Sequence, residues 1–137
     1  MNFVSTCAAG LEDLVTDELL SFGADICSSR RGEIRWSGTL ESGYRTCLWS
    51  RFSSRLILVL SEFGIDSADS LYEEARATKW EDHLSVDDTF SVDCVILAGS
   101  PVTNSMFGGL KIKDGLVDRF RERRGTRPTV ETKRPAV

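Results

Sequence analysis

The spacing of apolar and polar residues at the start of the chain predicts a strand followed by a helix. Residues 2–8 form a short run of apolar and small side chains, which is typical of a β-strand. Across residues 10–22, apolar positions recur at intervals of three and four, with acidic side chains on the other side. Gly23 is suited to end that helix. We expect one helical face to combine Leu11, Leu14, Val15, Glu18 and Leu19.

The next forty residues continue this alternation in shorter segments. Ile26–Ser29 and Glu33–Ser37 are predicted strands, joined by a turn of two arginines and a glycine. Thr39 or Ser42 is suited to cap the helix that follows. Leu56–Leu60, the uninterrupted apolar run LILVL, is the best candidate for a central strand.

The order of these elements, β-α-β-β-α-β over residues 2–63, indicates a fold class. It is the order of a ferredoxin-like α+β unit, in which a four-stranded antiparallel sheet carries two helices on one face. Many unrelated functions share this fold, so the order alone indicates no activity.

The second half of the chain, residues 65–137, contains helices and few strands. Ser67 or Ser70 is suited to cap a first helix, and a short helical turn is predicted around Trp80 and Leu84. Thr89–Leu97 is a predicted strand, and a long helix is expected over Thr103–Arg124, ended by Gly125 and Pro128 and followed by a short strand start at Thr129–Val130. A single strand cannot satisfy its own backbone. Either it joins the first sheet, or further strands lie beyond Val137, which we favour.

The charge of the chain is divided unevenly along its length. The formal net charge is -4, from 17 Lys and Arg against 21 Asp and Glu. Up to Leu110 there are 8 basic and 17 acidic residues, whereas Lys111–Val137 has 9 basic and 4 acidic residues, a net of +5. Such a split predicts a locally basic surface able to meet a polyanion.

Sequence motifs exclude several classes of chemistry. The chain has no glycine-rich dinucleotide or P-loop motif, no metalloprotease or serine-hydrolase motif, and no C-x-x-C pair among its four cysteines. His83, the single histidine, has no orienting partner that the sequence can place. No apolar run reaches the ~18 residues of a membrane span. With no visible signal peptide either, we expect a cytoplasmic protein that contacts no membrane.

The long predicted helix carries both an apolar stripe and most of the basic residues. At about 100° per residue, Met106, Leu110, Leu116, Val117 and Phe120 fall on one side, and Lys113 lies within the same arc. Cations in the last turn suit the helix dipole, which is one explanation of the basic end. Phosphate binding is the other, and it also accounts for the cations outside that turn.

Three stretches of the chain resemble a known family. FVSTCAAGLEDLVTDELLSFGA, YRTCLWSRFSSRLILVLSEF and above all NSMFGGLKIKDGLVDRF are similar to the N-terminal region of bacterial large-subunit rRNA guanine-N2 methyltransferases of the THUMP-containing type. The last stretch carries the block N-S-x-[FY]-x-x-x-K-x-K-D, at Asn104, Ser105, Phe107, Lys111, Lys113 and Asp114.

The resemblance implies a ferredoxin-like subdomain at residues 1–64 and a THUMP domain at residues 65–137 that continues beyond Val137. In that family the two together bind structured RNA for an S-adenosylmethionine-dependent methyltransferase domain downstream in the same polypeptide. The family's catalytic Asn-Pro-Pro-[Tyr/Phe] motif is absent here, so we expect no catalytic residue, metal or cofactor in this chain.

The resulting hypothesis is an RNA-binding module for folded rRNA. The expected phosphate contacts are Lys111, Lys113, Arg119, Arg123, Arg124 and Arg127, with Asn104 and Ser105 at the helix start and a second patch at Arg30 and Arg31. Two alternatives stay open. A protein-interaction module would expose an apolar sheet face around Trp36 and Trp49. A small acylphosphatase-type hydrolase would need a phosphate loop with an arginine and a nearby asparagine.

Overall fold

A four-stranded antiparallel sheet organises the first unit, Met1–Glu62, in the computed structural model, which describes residues 1–137. The strands are β1 (Asn2–Thr6), β2 (Asp25–Arg30), β3 (Glu33–Ser37) and β4 (Arg55–Val59), and the helices are α1 (Glu12–Ser21) and α2 (Leu40–Trp49). Their order across the sheet is β2-β3-β1-β4, with every neighbouring pair antiparallel. This confirms the predicted ferredoxin-like unit.

The core of this unit lies against the two middle strands. Phe3 on β1 is opposite Trp36 on β3, and their rings stack with centroids 4.5 Å apart. Val15 and Leu19 of α1 are fully buried in the same cluster, as the helical repeat predicted. The indole Nε1 of Trp36 donates a hydrogen bond to Ser5 Oγ at 3.0 Å, so the buried polar atom of the largest core side chain is satisfied.

The prediction that the LILVL run forms a central strand is wrong. β4 pairs only with β1 and is therefore an edge strand. Leu56 and Leu58 pack against the core, whereas the side chain of Ile57 on the other face is 42% exposed. The reason is topological, because a fourth strand that returns beside the first strand takes an edge whatever its composition.

The second unit, Phe63–Val137, is built on a pair of packed helices. Its elements are α3 (Ala68–Ala77), a 3-10 turn (Trp80–Asp82), β5 (Thr89–Phe90), α4 (Ser105–Arg124) and β6 (Thr129–Val130). Ser67 caps α3, with its hydroxyl accepting from the Ser70 amide at 3.1 Å. No helix of the chain combines the length and apolar character that crossing a membrane requires.

Only the second half of α4 contributes to the core, although the sequence predicted one continuous apolar stripe. Leu116, Val117 and Phe120 are buried with Leu84 and Phe90. Met106 and Leu110, which were predicted on the same buried face, are exposed, Met106 by 77%. In this first half the helix turns Gly108 and Gly109 towards Val92 and Cys94, which leaves the larger side chains outside.

The predicted strand Thr89–Leu97 forms a sheet only at its first two residues. Thr89 and Phe90 pair in parallel with Thr129 and Val130, and Ser91–Leu97 is in no strand. Burial still alternates along this segment as it would in a strand. Val92 and Ile96 are partly buried, whereas Val95 and Leu97 are exposed. The prediction of further strands beyond Val137 stays a prediction.

Candidate nucleic-acid interface

The start of α4 presents two of the predicted contact residues. Asn104 is the cap of the helix, and its Oδ1 accepts a hydrogen bond from the Phe107 amide at 3.0 Å. Ser105 is the first helical residue, and both side chains are exposed. The side-chain oxygen of Asn104 therefore serves the helix itself.

The other end of α4 carries the exposed cations. Gly125 ends the helix with φ 71°, a left-handed conformation that glycine adopts readily, and its amide donates to Arg121 O at 2.9 Å. Arg124 and Arg127 are exposed and take part in no ion pair. Arg123 is also exposed, and its Nη1 lies 3.3 Å from Glu81 Oε1. Two guanidinium groups at this end are thus free to meet an anion.

Arg119 has an internal role that the sequence did not predict. Its side chain is only 9% exposed, and it donates to both carboxylate oxygens of Glu81 at 2.7 Å. The remaining nitrogen, Nη1, donates to the carbonyl oxygens of Arg76 and Ala77. Instead of the expected phosphate contact, Arg119 forms a buried ion pair, and all three of its guanidinium nitrogens donate to acceptors within the fold.

This ion pair also fixes the charge of Glu81. The hydrogen bonds from Arg119 lower the pKa of the Glu81 carboxyl to about 2, against the opposing effect of its burial. The nearby charge of Arg123 acts in the same direction. Glu81 is consequently ionised at neutral pH and neutralises Arg119 within the fold.

Lys111 and Lys113 line a groove beside α3 and α4 together with two arginines. The groove has a volume of about 750 Å³. Its charged lining consists of four cations, Lys111, Lys113, Arg121 and Arg127, and four carboxylates, Asp69, Glu73, Asp114 and Asp118. The formal charge of the lining is thus balanced, which the count of basic residues in the C-terminal segment did not reveal.

Both lysines of the groove are paired with carboxylates. Lys111 Nζ lies 2.9 Å from Asp69 Oδ1 and 5.6 Å from the centre of the Phe107 ring. Lys113 Nζ lies 2.9 Å from Asp114 Oδ1. The carboxylates of both pairs are exposed while the lysines are half-buried, and such solvent-accessible pairs contribute roughly 0–1 kcal/mol each.

Arg121 belongs to this groove but was missed by the sequence analysis. It lies eight residues after Lys113, which is about two helical turns, and pairs with Asp118 at 3.3 Å. An offset of eight residues is about 80° around the helix, so the spacing from Lys113 does not by itself distinguish Arg121 from Arg123. Arg123, which was predicted from the last basic turn, pairs with Glu81 and does not line the groove.

The second predicted patch lies on the turn between β2 and β3. Arg30 and Arg31 are both exposed there. The adjacent Gly32 amide donates to Glu12 Oε1 at 2.7 Å, and this hydrogen bond is the main cause that lowers the pKa of Glu12, with a smaller contribution from the charge of Arg31. The turn is thus tied to the start of α1 while its arginines stay exposed.

The alternatives from the sequence find limited support in the structure. Trp36 is buried in the core, and Trp49 lies on α2 rather than on a sheet face. His83 is exposed, and no group of His, Cys, Asp or Glu side chains is arranged to hold a metal ion.

Comparison with known proteins agrees with this architecture. Residues 2–57 match the RlmL ferredoxin-like domain, and residues 66–137 match the THUMP domain. A protein of Desulfotalea psychrophila named ribosomal RNA large subunit methyltransferase K/L is 45% identical over 135 residues, which cover 98% of this chain and 19% of that protein. The chain thus spans about a fifth of the length of this relative.

Solved structures of methyltransferases share the fold. A predicted N6-adenine-specific DNA methylase from Listeria monocytogenes superposes with a TM-score of 0.82 at 28% identity, over 93% of this chain and 34% of that one. SMU.472, named as a candidate methyltransferase and solved in complex with SAH, superposes with a TM-score of 0.77 at 26% identity, over 93% of this chain and 33% of that one. The matched domains together account for nearly all of the sequence, and the chain belongs to the THUMP domain family, with an RlmL-type ferredoxin-like domain preceding the THUMP domain.

Proposed function

We propose that this chain is the RNA-binding module of an rRNA guanine-N2 methyltransferase. It would hold a structured rRNA segment for a catalytic domain elsewhere in the same polypeptide, and that domain would use S-adenosylmethionine. The observation that carries the proposal is the pair of unpaired, exposed guanidinium groups of Arg124 and Arg127 at the end of α4 in a THUMP domain. Arg127 also lines the groove that holds Lys111 and Lys113.

The chemistry of this surface fits phosphate better than bases. Guanidinium and ammonium groups neutralise backbone phosphates without reading sequence. The aromatic rings near these cations are already engaged, because Phe107 lies under Lys111 and the Tyr72 hydroxyl in the groove donates to Asp118 Oδ2. Recognition of a folded RNA through its shape and its phosphates is therefore the favoured mode.

The enzymatic part of the proposal rests on the relatives. The Desulfotalea psychrophila protein is named for methylation of large-subunit rRNA, and SMU.472 was solved with SAH, the product form of S-adenosylmethionine. Both extend well beyond the region matched by this chain. The proposed compartment is the cytoplasm, because ribosomal RNA is found there.

Salt-dependent RNA binding tests the proposal. A labelled rRNA hairpin would be titrated with the 137-residue chain at several salt concentrations, alongside the variants Arg124→Ala and Arg127→Ala. Each variant should weaken binding and reduce the slope of log affinity against log salt by about one if one phosphate contact is lost.

A matched control removes an equal charge elsewhere. Lys79 is exposed and lies outside the groove, so Lys79→Ala should leave affinity and slope nearly unchanged. Absence of binding at low salt, or equal losses for Lys79→Ala and Arg124→Ala, would contradict the assignment.

A further inference from the structure

Helix α2 carries its large apolar side chains on the side away from the core. Its buried residues are Ser42, Gly43 and Thr46, all small. A Cβ atom on Gly43 would lie 3.1 Å from the Phe3 ring, so the helix approaches the sheet closely. The large apolar residues of the helix, which are exposed, are Leu40, Tyr44, Leu48 and Trp49.

The exposed apolar side chains of α2 do not contribute to its packing against the sheet, which involves Ser42, Gly43 and Thr46. Tyr44 is 61% exposed and Trp49 is 69% exposed, whereas soluble proteins usually bury most of such rings. Leu40, Tyr44 and Leu48 recur at intervals of four along one side of the helix, and Arg45 and Trp49 form a second row about 100° around it. Several large apolar side chains exposed together on one short helix indicate a binding surface.

Basic residues accompany these aromatic rings. Residues 40–55 contain three arginines, Arg45, Arg51 and Arg55, and one acid, Glu41, within a chain of net charge -4. Arg55 is exposed, takes part in no ion pair and lines a small pocket of about 230 Å³ with Cys47 and Ser54. Arg51 is also exposed, and its ion pair with Glu18 engages only Nε, at 3.3 Å. Arg45 donates to Glu41 Oε1 from Nε and Nη2 in an exposed pair, which leaves its Nη1 without a partner.

We propose that α2 and the loop after it bind a single-stranded segment of RNA. Tyr44 and Trp49 stack on bases, while Arg45, Arg51 and Arg55 contact the phosphates. Aromatic rings interleaved with guanidinium groups are the surface that single-stranded nucleic acid requires, because every base has a stacking face and every linkage has a negative charge. Three arginines face two carboxylates here, Glu41 and Glu18, and Arg55 has no partner. The remaining positive charge favours a polyanion such as RNA over an uncharged apolar protein surface.

This surface belongs to the first unit, whereas the basic end of α4 belongs to the second. The two share the ligand class of the proposed function but no residue, so they can be tested independently. The 137-residue chain would be titrated with two RNAs: a blunt rRNA hairpin, and the same hairpin with a single-stranded extension of about six nucleotides, within the range that one aromatic platform covers.

Two substitutions of Trp49 separate stacking from apolar contact. Trp49→Leu keeps apolar volume but removes the ring, and Trp49→Phe keeps a ring. The extension should tighten binding to the unsubstituted chain and quench its tryptophan emission. Trp49→Leu should lose about fivefold or more of the affinity for the extended RNA, Trp49→Phe should retain most of it, and both should bind the blunt hairpin normally.

Several results would overturn the inference. An extension that adds no affinity would do so, as would equal losses for Trp49→Leu and Trp49→Phe. Self-association in light scattering that persists in Trp49→Leu but disappears in Leu48→Asp would assign this face to protein contact instead. Failure of the α4 proposal would look different, because Arg124→Ala would then leave the affinity for both RNAs unchanged.

Discussion

Arg119 and Glu81 face each other through two hydrogen bonds of 2.7 Å, from Nε to Oε2 and from Nη2 to Oε1. Because Arg119 also donates to the carbonyl oxygens of Arg76 and Ala77, one guanidinium joins α4, the end of α3 and the 3-10 turn. This arrangement makes Arg119, a basic residue of α4, a structural element of the second unit.

Neutralising Glu81 should destabilise the second unit. Glu81→Gln leaves the charge of Arg119 largely buried without a partner, so we expect the free energy of unfolding to fall by about 3 kcal/mol. Urea unfolding of the purified chain measures this fall in the free energy of unfolding. Glu73→Gln, which removes an exposed partner of Arg76 at 4.0 Å, should cost less than about 0.5 kcal/mol. Similar costs for the two variants would contradict this account.

The same pair predicts a dependence of stability on pH. Because the pKa of Glu81 is about 2 in the fold and ordinarily 4.5, its contribution is complete above pH 4.5 and is lost as pH falls towards 2. The stability difference between the unsubstituted chain and Glu81→Gln should therefore narrow from pH 6 to pH 3 in urea titrations. A difference that stays constant over this range would exclude the ion pair as its origin.

The close approach of α4 to α3 depends on Gly115. A Cβ atom there would lie 2.8 Å from Tyr72 O and 2.9 Å from Arg76 N, which are backbone atoms that cannot easily move. We expect Gly115→Ala to destabilise the chain by about 1–3 kcal/mol despite the higher helix propensity of alanine.

Gly109 in the same helix provides the matched control. A Cβ atom on Gly109 would meet Val92 O at 3.6 Å, an ordinary contact. Gly109→Ala should therefore be neutral or stabilising by up to about 1 kcal/mol. Thermal or urea unfolding would show stability changes of opposite sign for the two variants. A loss of stability in both variants would contradict the explanation that only Gly115 lies too close to α3 for a Cβ atom.

The balanced charge of the groove predicts a variant with improved RNA binding. Asp69 is 90% exposed and holds Lys111 Nζ at 2.9 Å, so Asp69→Asn should free the ammonium group and strengthen hairpin binding about two- to fivefold at low salt. Glu74→Gln makes the same change of charge at an exposed residue of α3 outside the groove, and it should have a smaller effect. Equal gains would show that only net charge matters.

The hydrogen bond from Trp36 to Ser5 should stabilise the first unit. Ser5→Ala leaves the indole Nε1 buried without an acceptor, which should cost about 1–3 kcal/mol in urea unfolding. In a Trp36→Phe background the same substitution should cost much less, because the donor is absent. Ser29→Ala on the exposed side of β2 serves as the control. If Ser5→Ala still lowered the stability as much in the Trp36→Phe background, the loss would come from side-chain packing and not from the hydrogen bond.

Local sequence patterns were sufficient to predict those helices and helix ends that depend mainly on residues within the same segment. The repeat that buries Val15 and Leu19 specified α1, and Gly125 specified the end of α4 through its left-handed conformation. The order of elements was enough to predict the ferredoxin-like sheet. The site was predicted less well, because residue type shows that a cation is present but not which carboxylate lies beside it.

The sequence by itself determined the elements, their order and the concentration of positive charge near the C-terminal end of the chain, since these follow from periodicity and composition. The tertiary structure alone decided that Arg119 is internal while Arg124 and Arg127 remain free, and that α2 turns Trp49 outwards. Each of these outcomes depends on contacts between residues distant in sequence. Such contacts determine whether a charged or aromatic side chain is buried, paired or exposed, and the local sequence does not contain them.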